Sequence, residues 1–266
     1  MSTPKLVIIV PFRDRDPHKV VFMSVMPKIL EGEDYKILFI HQKDKRPFNR
    51  GAVKNIGLLY VKSIWPESYR NITMVFHDID FMPYMKGQFN YHTRLGVVKH
   101  LYGFEHTLGG IFSIKAGDFE MINGFPNIWV WGLEDNILLK RWQKIGGKMD
   151  RSQFLHATKD AHKMIGLWHG WDRLADKAIA GKYKHDTGYD GIRTIGGLNH
   201  TTRSLGDKAD MVDVTHFTVP DNRFSKDLGV KDTRKLKFMI GEQRMKETIR
   251  RKALARRRAG SLGKMF

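Results

Sequence analysis

Three apolar runs recur at near-regular intervals in the first third of the chain. They are Leu6 to Val10, Tyr35-Lys36-Ile37-Leu38-Phe39-Ile40, and Ile72 to Phe76. Their hydrophobicity is continuous rather than alternating, which marks strands buried on both faces, as in a parallel sheet. Helical spacing separates them. One helix is predicted from about Lys19 to Leu30, kinked or ended by Pro27. A second carries Ile56, Leu58, Leu59, Val61 and Ile64, with Asn49 or Asn55 as its start. A β-α-β-α-β order of this kind predicts an α/β fold whose ligands sit at the carboxyl ends of parallel strands. Further on, the pattern predicts a strand over Gly109 to Ile114, a short helix over Asp118 to Ile122, and a turn at Gly124-Phe125-Pro126-Asn127. A helix over Glu134 to Ile145 and a last strand over Met211 to Val219 complete it.

Two acidic groups stand where such a fold places ligands. The third apolar run leads into His77-Asp78-Ile79-Asp80. In an extended segment Asp78 and Asp80 share one side, and their hard oxygens suit Mn²⁺, with Mg²⁺ as an alternative, bridging to a diphosphate. About fifty residues later comes Trp129-Val130-Trp131-Gly132-Leu133-Glu134-Asp135-Asn136. Glu134 and Asp135 fall at a helix N-terminus, where the dipole favours ionised carboxylates and lowers their pKa. Trp129 and Trp131 offer flat faces for a sugar, although the ordinary place of a tryptophan is the core. Among the later histidines, His169 in Leu167-Trp168-His169-Gly170 is the preferred third metal ligand and His162 the fallback.

Composition narrows the chemistry. The chain contains no cysteine, which excludes disulfides, cysteine-ligated zinc and a thiol nucleophile. Its formal net charge is +18, and residues 231–266 hold 13 Lys/Arg against 3 Asp/Glu. Such a tail points to a polyanion: nucleic acid, an acidic glycan or an anionic surface. The first residues lead directly into a strand too short for a signal peptide, and no membrane-spanning run is evident, so the expectation is a soluble, cytoplasmic protein. The expected organisation is a catalytic domain over 1–225 and a basic, helical tail over 226–266.

Seven short segments occur in a telling order. They are Pro11-Phe12-Arg13-Asp14-Arg15, Phe48-Asn49-Arg50-Gly51, Asp78-Ile79-Asp80, Gly109-Gly110, Asn123-Gly124-Phe125-Pro126-Asn127, Trp131-Gly132-Leu133-Glu134-Asp135 and Gly197-Leu198-Asn199. The series resembles the catalytic domain of the β-1,4-galactosyltransferase family, including its xylosylprotein branch, over roughly residues 6–220. The resemblance implies a GT-A fold with a Rossmann-like, mostly parallel sheet, a UDP-sugar donor, Mn²⁺ and inversion at the anomeric carbon. Pro11, Phe12, Arg13, Arg15, Phe48 and Arg50 would line the uridine-diphosphate pocket. Asp78, Ile79, Gly109 and Gly110 would complete the donor site. Asp80 and His169 would bind the metal, and Trp131 would pack near both sugars. Glu134 would orient the acceptor and Asp135 would act as general base.

The chain departs from the family at Leu133, usually glycine, at Asn136, usually a further acid, and at Thr107, often aromatic. A methionine ligand found in some members has no clear counterpart near His169, where water would take its place, and the family's cysteines and Golgi anchor are missing, which implies a bacterial or viral cytoplasmic enzyme, the host cytoplasm included. The leading expectation is hexose transfer, galactose-like, to a saccharide or glycoconjugate. The alternatives are transfer to hydroxylated bases of nucleic acid held by the basic surface, or a non-catalytic nucleic-acid-binding protein on the same fold.

Overall fold

A computed structural model describes residues 2–129, 132–168 and 185–221. Its elements run β1 (Leu6–Phe12), α1 (Asp16–Ile29), β2 (Tyr35–Gln42), α2 (Arg50–Ile64), β3 (Thr73–His77), β4 (Phe81–Pro83) and β5 (Val97–Gly103). There follow β6 (Ile111–Lys115), α3 (Ala116–Met121), α4 (Glu134–Lys144), β7 (Lys148–Asp150), β8 (Leu155–His156), β9 (Met164–Gly166), β10 (Gly196–Ser204) and β11 (Ala209–Thr218). The main sheet has the order β10-β11-β2-β1-β3-β6-β5-β7, with β8 also on β5, and β4 pairs with β9 as a separate ribbon.

Every residue of β1 is buried, as its unbroken apolar sequence requires. β1 lies between β2 and β3 and is parallel to both, with Leu6 opposite Tyr35 on one side and Thr73 on the other. β11 joins β2 in parallel. The sheet is mixed beyond this centre: β6 runs antiparallel to β3 and β5, and β10 antiparallel to β11. Period-two alternation divides the strands between two cores. Val7, Ile9, Leu38, Ile40, Met74 and Phe76 meet α2, α3 and α4. Leu6, Ile8, Val10, Ile37, Phe39 and Val75 meet Phe22 and Met26 of α1 on the other face.

The helix starts differ in how they are held, and among the described residues only α2 of the four α-helices has a side-chain cap. α1 starts at Asp16 rather than Lys19, with Pro17 in its first turn, and Pro27 is carried inside it. For α2 the cap is Asn49, whose side chain accepts from the Ala52 N–H at 2.9 Å. Asn55 has a different task. Its amide donates to the Phe125 carbonyl at 2.7 Å and accepts from the Phe125 N–H at 2.9 Å, fixing the turn at 123–127. The same turn presses on α2: a Cβ at Gly51 would stand 2.1 Å from the Pro126 carbonyl oxygen. Buried Arg141 of α4 closes the assembly. It pairs with Asp186 through Nε and Nη2 at 2.8 and 2.7 Å and donates to the carbonyls of Gly124 and Asp190.

β5 and β10 escape the sequence pattern. β5 carries Lys99 and His100 in its middle, and β10 is an edge strand whose residues are mostly exposed, so neither shows a continuous apolar run. Among the described residues no helix is long and apolar enough to cross a membrane. The tail over 226–266 lies outside the described residues.

Two interior histidines make stability depend on acid. Burial lowers His77 and His100 from 6.5 to about 4. Their unfolded forms bind protons first as pH falls, so their neutral burial contributes stability that is complete above about 6.5 and is lost progressively down to about 4. The melting temperature should therefore fall between pH 6.5 and 4.5, and His100→Phe should flatten that limb. An unchanged limb in the variant would remove His100 from the account.

Candidate active site

Arg50 is the hub of the site. It opens α2 directly after the Asn49 cap, so its guanidinium points to the carboxyl ends of the central strands. Nη2 meets both oxygens of Asp78 at 2.7 and 2.9 Å, while Nη1 meets Glu134 Oε1 at 2.9 Å. One turn later on the same helix face, Lys54 Nζ meets Asp135 Oδ1 at 2.9 Å. Three carboxylates from two distant segments are thus gathered by two cations of one helix.

Burial and charge act in opposite directions on Asp78 and Glu134. Burial acts to raise the Asp78 carboxyl, but the charges of Arg50 and Lys54 and the Arg50 hydrogen bonds outweigh it, so Asp78 lies below the usual carboxylate range. Glu134 goes the other way. It is 3% exposed, and burial and the neighbouring Asp135 charge raise it against the pull of Arg50 and Lys54. The expectation that the helix dipole would lower it therefore fails for Glu134, because desolvation of a buried acid exceeds the effect of a helix end.

The extended segment expected for Asp78 and Asp80 is not found, since β3 ends at His77 and a turn follows. Burial still alternates: Ile79 points into the core with 6% exposure, while both acids are partly open. Ile79 therefore has no side-chain surface to give a ligand. The Asp78 N–H donates to the Gly110 carbonyl at 3.0 Å, tying this turn to the Gly109-Gly110 segment. Burial raises the Tyr102 phenol, and the charges of Asp80 and Asp78 add to the rise. Gly109 lies beneath Asp135, where a Cβ would stand 2.4 Å from Oδ2.

The remaining expected donor residues divide. Phe12 is 2% exposed and packs edge-on against Phe39 and His41, so its ring belongs to the core. Pro11 is buried beside it. Buried Arg13 is directed to the 44–46 loop, donating to the Asp44 carbonyl at 3.0 Å and to that of Arg46. Arg15 is partly exposed, and among the described residues its guanidinium makes no hydrogen bond or ion pair, leaving it available to an anion. Phe48 is half-buried against the α2-side core. Trp129 is not a sugar platform: it is 1% exposed, stacks on Phe217 at 5.5 Å and lies under the Arg46 guanidinium. Trp131 and His169 lie outside the described residues.

Chain direction separates the two histidine candidates. β4 and β9 pair antiparallel with Phe81 opposite Gly166 and Pro83 opposite Met164, and the Leu167 N–H donates to the Asp80 carbonyl at 2.7 Å. The chain therefore passes Asp80 two residues before His169 in sequence, while exposed His162 lies before the far end of the ribbon, beyond Pro83. Among the described residues no three His, Asp or Glu side chains form a metal cage. The donor set nonetheless fits a hard divalent cation. Asp78 and Asp80 supply hard carboxylate oxygens in one turn after β3, the ligand type such an ion prefers.

Sequence reasoning missed Lys54. Its signal was a lysine four residues after Arg50 on a helix otherwise buried at those positions. The departure at Leu133 also becomes intelligible. It precedes α4 with φ +69°, the left-handed region, at 37% exposure. A leucine there costs roughly 1–2 kcal/mol. Leu133→Gly should raise stability by about 0.5–1 kcal/mol, visible as a higher melting temperature. A lower one would mean that leucine packing outweighs backbone strain.

A mixed, mostly parallel sheet with an acidic turn after its third strand defines the class: a GT-A glycosyltransferase fold. Solved structures share it, among them two of a Drosophila enzyme. A mutant of Drosophila β-1,4-galactosyltransferase 7, in complex with manganese, UDP-Gal and xylobiose, aligns with a TM-score of 0.66 at 21% identity, covering 84% of this chain and 98% of that one. The catalytic domain of the same enzyme with xylobiose gives 0.68 at 20% identity and the same coverage. Residues 1–92 match the family described as the N-terminal region of glycosyl transferase group 7, and residues 90–165 match the N-terminal domain of galactosyltransferase. Pig (Sus scrofa) β-1,4-galactosyltransferase 5 is 29% identical over 207 residues, 72% of this chain and 51% of that protein. The xylosylprotein 4-β-galactosyltransferase of Caenorhabditis elegans is 30% identical over 188 residues, 66% of this chain and 62% of that protein. The chain belongs to the β-1,4-galactosyltransferase family of glycosyltransferases. It spans about half the length of the first of these relatives.

Proposed function

We propose that this protein is an inverting, metal-dependent glycosyltransferase that moves a galactose-like hexose from a UDP-sugar to a saccharide hydroxyl. The observation that carries the reading is the organised acid cluster at the strand ends. Asp135 has one oxygen held by Lys54, while Oδ2 lies over Gly109, where no side chain intrudes. That oxygen accepts the acceptor hydroxyl proton as the hydroxyl attacks the anomeric carbon in line, and the UDP leaves from the opposite side. An α-linked donor then gives a β product. Glu134, raised by burial and tied to Arg50, orients the acceptor by hydrogen bonding. Arg15, without a side-chain partner among the described residues, meets the diphosphate.

Asp80 and His169 would hold Mn²⁺, which when bound supplies charge neutralisation for the leaving diphosphate. The manganese, UDP-Gal and xylobiose in the complex of the Drosophila relative support this donor, metal and acceptor class. The nucleic-acid reading rests on residues 231–266, which lie outside the described residues.

The test is UDP release from a panel of UDP-sugars, with Mn²⁺ or chelator, with and without β-xylosides and other saccharides. Release that needs the metal and rises with one acceptor class is the expected result. Asp80→Ala should lose metal-dependent donor binding. Undiminished Mn²⁺ dependence in that variant would move the metal elsewhere. Absence of both donor binding and release would overturn the reading.

A further inference from the structure

Lys54 is an unusual residue for its position. It sits in the second turn of α2 at 1% exposure. Its ammonium lies 4.4 Å from the centroid of the Phe125 ring. A lysine is almost never so buried without a partner, and the partner is Asp135 Oδ1 at 2.9 Å.

The geometry around Asp135 gives that contact a purpose. The terminal torsion of an aspartate is broad and roughly two-fold, so a helix-end carboxylate left alone samples many orientations. Here the backbone is fixed because the Asp135 carbonyl accepts from the Leu108 N–H at 2.9 Å. Lys54 takes Oδ1, and Arg50 Nη1 stands 3.8 Å from Oδ2, beyond hydrogen-bond reach. Among the described residues Oδ2 accepts no hydrogen bond, and it faces the glycine floor at Gly109.

We infer that Lys54 is a positioning residue: by holding Oδ1 it turns Oδ2 of Asp135 toward the acceptor hydroxyl. The inference rests on the reading of Asp135 as the base. Lys54 touches neither donor nor acceptor and keeps its own proton throughout. The proton leaving the hydroxyl goes to Oδ2.

The test compares Lys54→Met, which keeps the apolar stem and loses the donor, with Lys54→Gln, which keeps a hydrogen-bond donor. Steady-state transfer is measured with the full chain, and the melting temperature is recorded for each variant. Lys54→Met should lower kcat about 30-fold with donor KM within about 3-fold, and Lys54→Gln should recover part of the loss. On an Asp135→Asn background, adding Lys54→Met should change the residual rate less than about 2-fold, because the two residues act as a unit. The double variant removes both charges of the pair, so it reports even where the single variant folds poorly. A parent-level kcat in Lys54→Met, a rise in KM alone, or full additivity in the double variant would overturn the positioning role. Parent-level transfer in Asp135→Asn alone would instead overturn the assignment of the base.

Discussion

Asp135→Asn is expected to lower transfer by about a thousandfold while leaving the affinity for UDP and metal within about 2-fold, the pattern of a lost general base. The amide is nearly the same size as the carboxylate, so the space above Gly109 is preserved and only the basic oxygen is lost. The Lys54 contact survives in weakened form, because the amide carbonyl can still accept from the ammonium. In the proposed reading donor binding draws on the other side of the cluster, where Asp78 and Asp80 follow β3. Parallel measurements of kcat with a saccharide acceptor and of UDP binding by calorimetry separate the two. An equal fall in both would mean that the substitution disturbs the whole site. A parent rate would place the base elsewhere.

Arg50→Ala is expected to be costly twice. The guanidinium bridges Asp78 and Glu134, which come from segments more than fifty residues apart in sequence. Arg50 and Asp78 are part-buried and Glu134 is buried, so removing the guanidinium costs about 3 kcal/mol, the low end for a buried pair, since Glu134 keeps its desolvation penalty and loses its partner. For a chain of this size that corresponds to a fall in melting temperature of about 10 °C. Transfer should fall as well, because both acids lose their orientation. The acid dependence carries a sign that can be checked. Asp78 is held below its ordinary 3.8. Its contribution is therefore complete above about 3.8 and is lost as pH falls through the lower folded value. Glu134, raised above 4.5, contributes in the opposite sense, and that contribution is lost as pH rises. Without Arg50 the depression of Asp78 is removed, so the gap in stability between variant and parent should be widest near neutrality and shrink below about pH 4. A gap independent of pH would show that packing of the arginine stem, rather than charge, dominates.

The parts of this protein legible from its sequence are those governed by local rules. Continuous apolar runs declared β1, β2 and β3 and their parallel order, because a strand covered on both faces has no polar side to display. Asn49 or Asn55, and Glu134 with Asp135, marked helix starts, because unpaired N–H groups at a helix end select for such side chains, and the structure chooses Asn49. The order of short motifs pointed to the family, since several of them hold a turn or a helix start that the fold needs. The Asn55 bonds to the 123–127 turn show one such link between two of them.

What lay beyond the sequence was every property that depends on which distant segments meet. Trp129 read as a sugar platform, yet it is stacked in the core on Phe217, a residue almost ninety positions away. Arg13 read as a donor ligand, yet it ties down the 44–46 loop. Glu134 read as an acid lowered by a helix dipole, yet its burial raises it. Lys54 and Arg141 carried no motif at all, because a cation on a helix is ordinarily solvated and only burial against a particular acid gives it a role. Sequence alone determined the layered α/β frame and the acids at its strand ends, through period and capping. Tertiary structure alone decided which cation holds which acid, because that choice follows from desolvation and from distances across the fold.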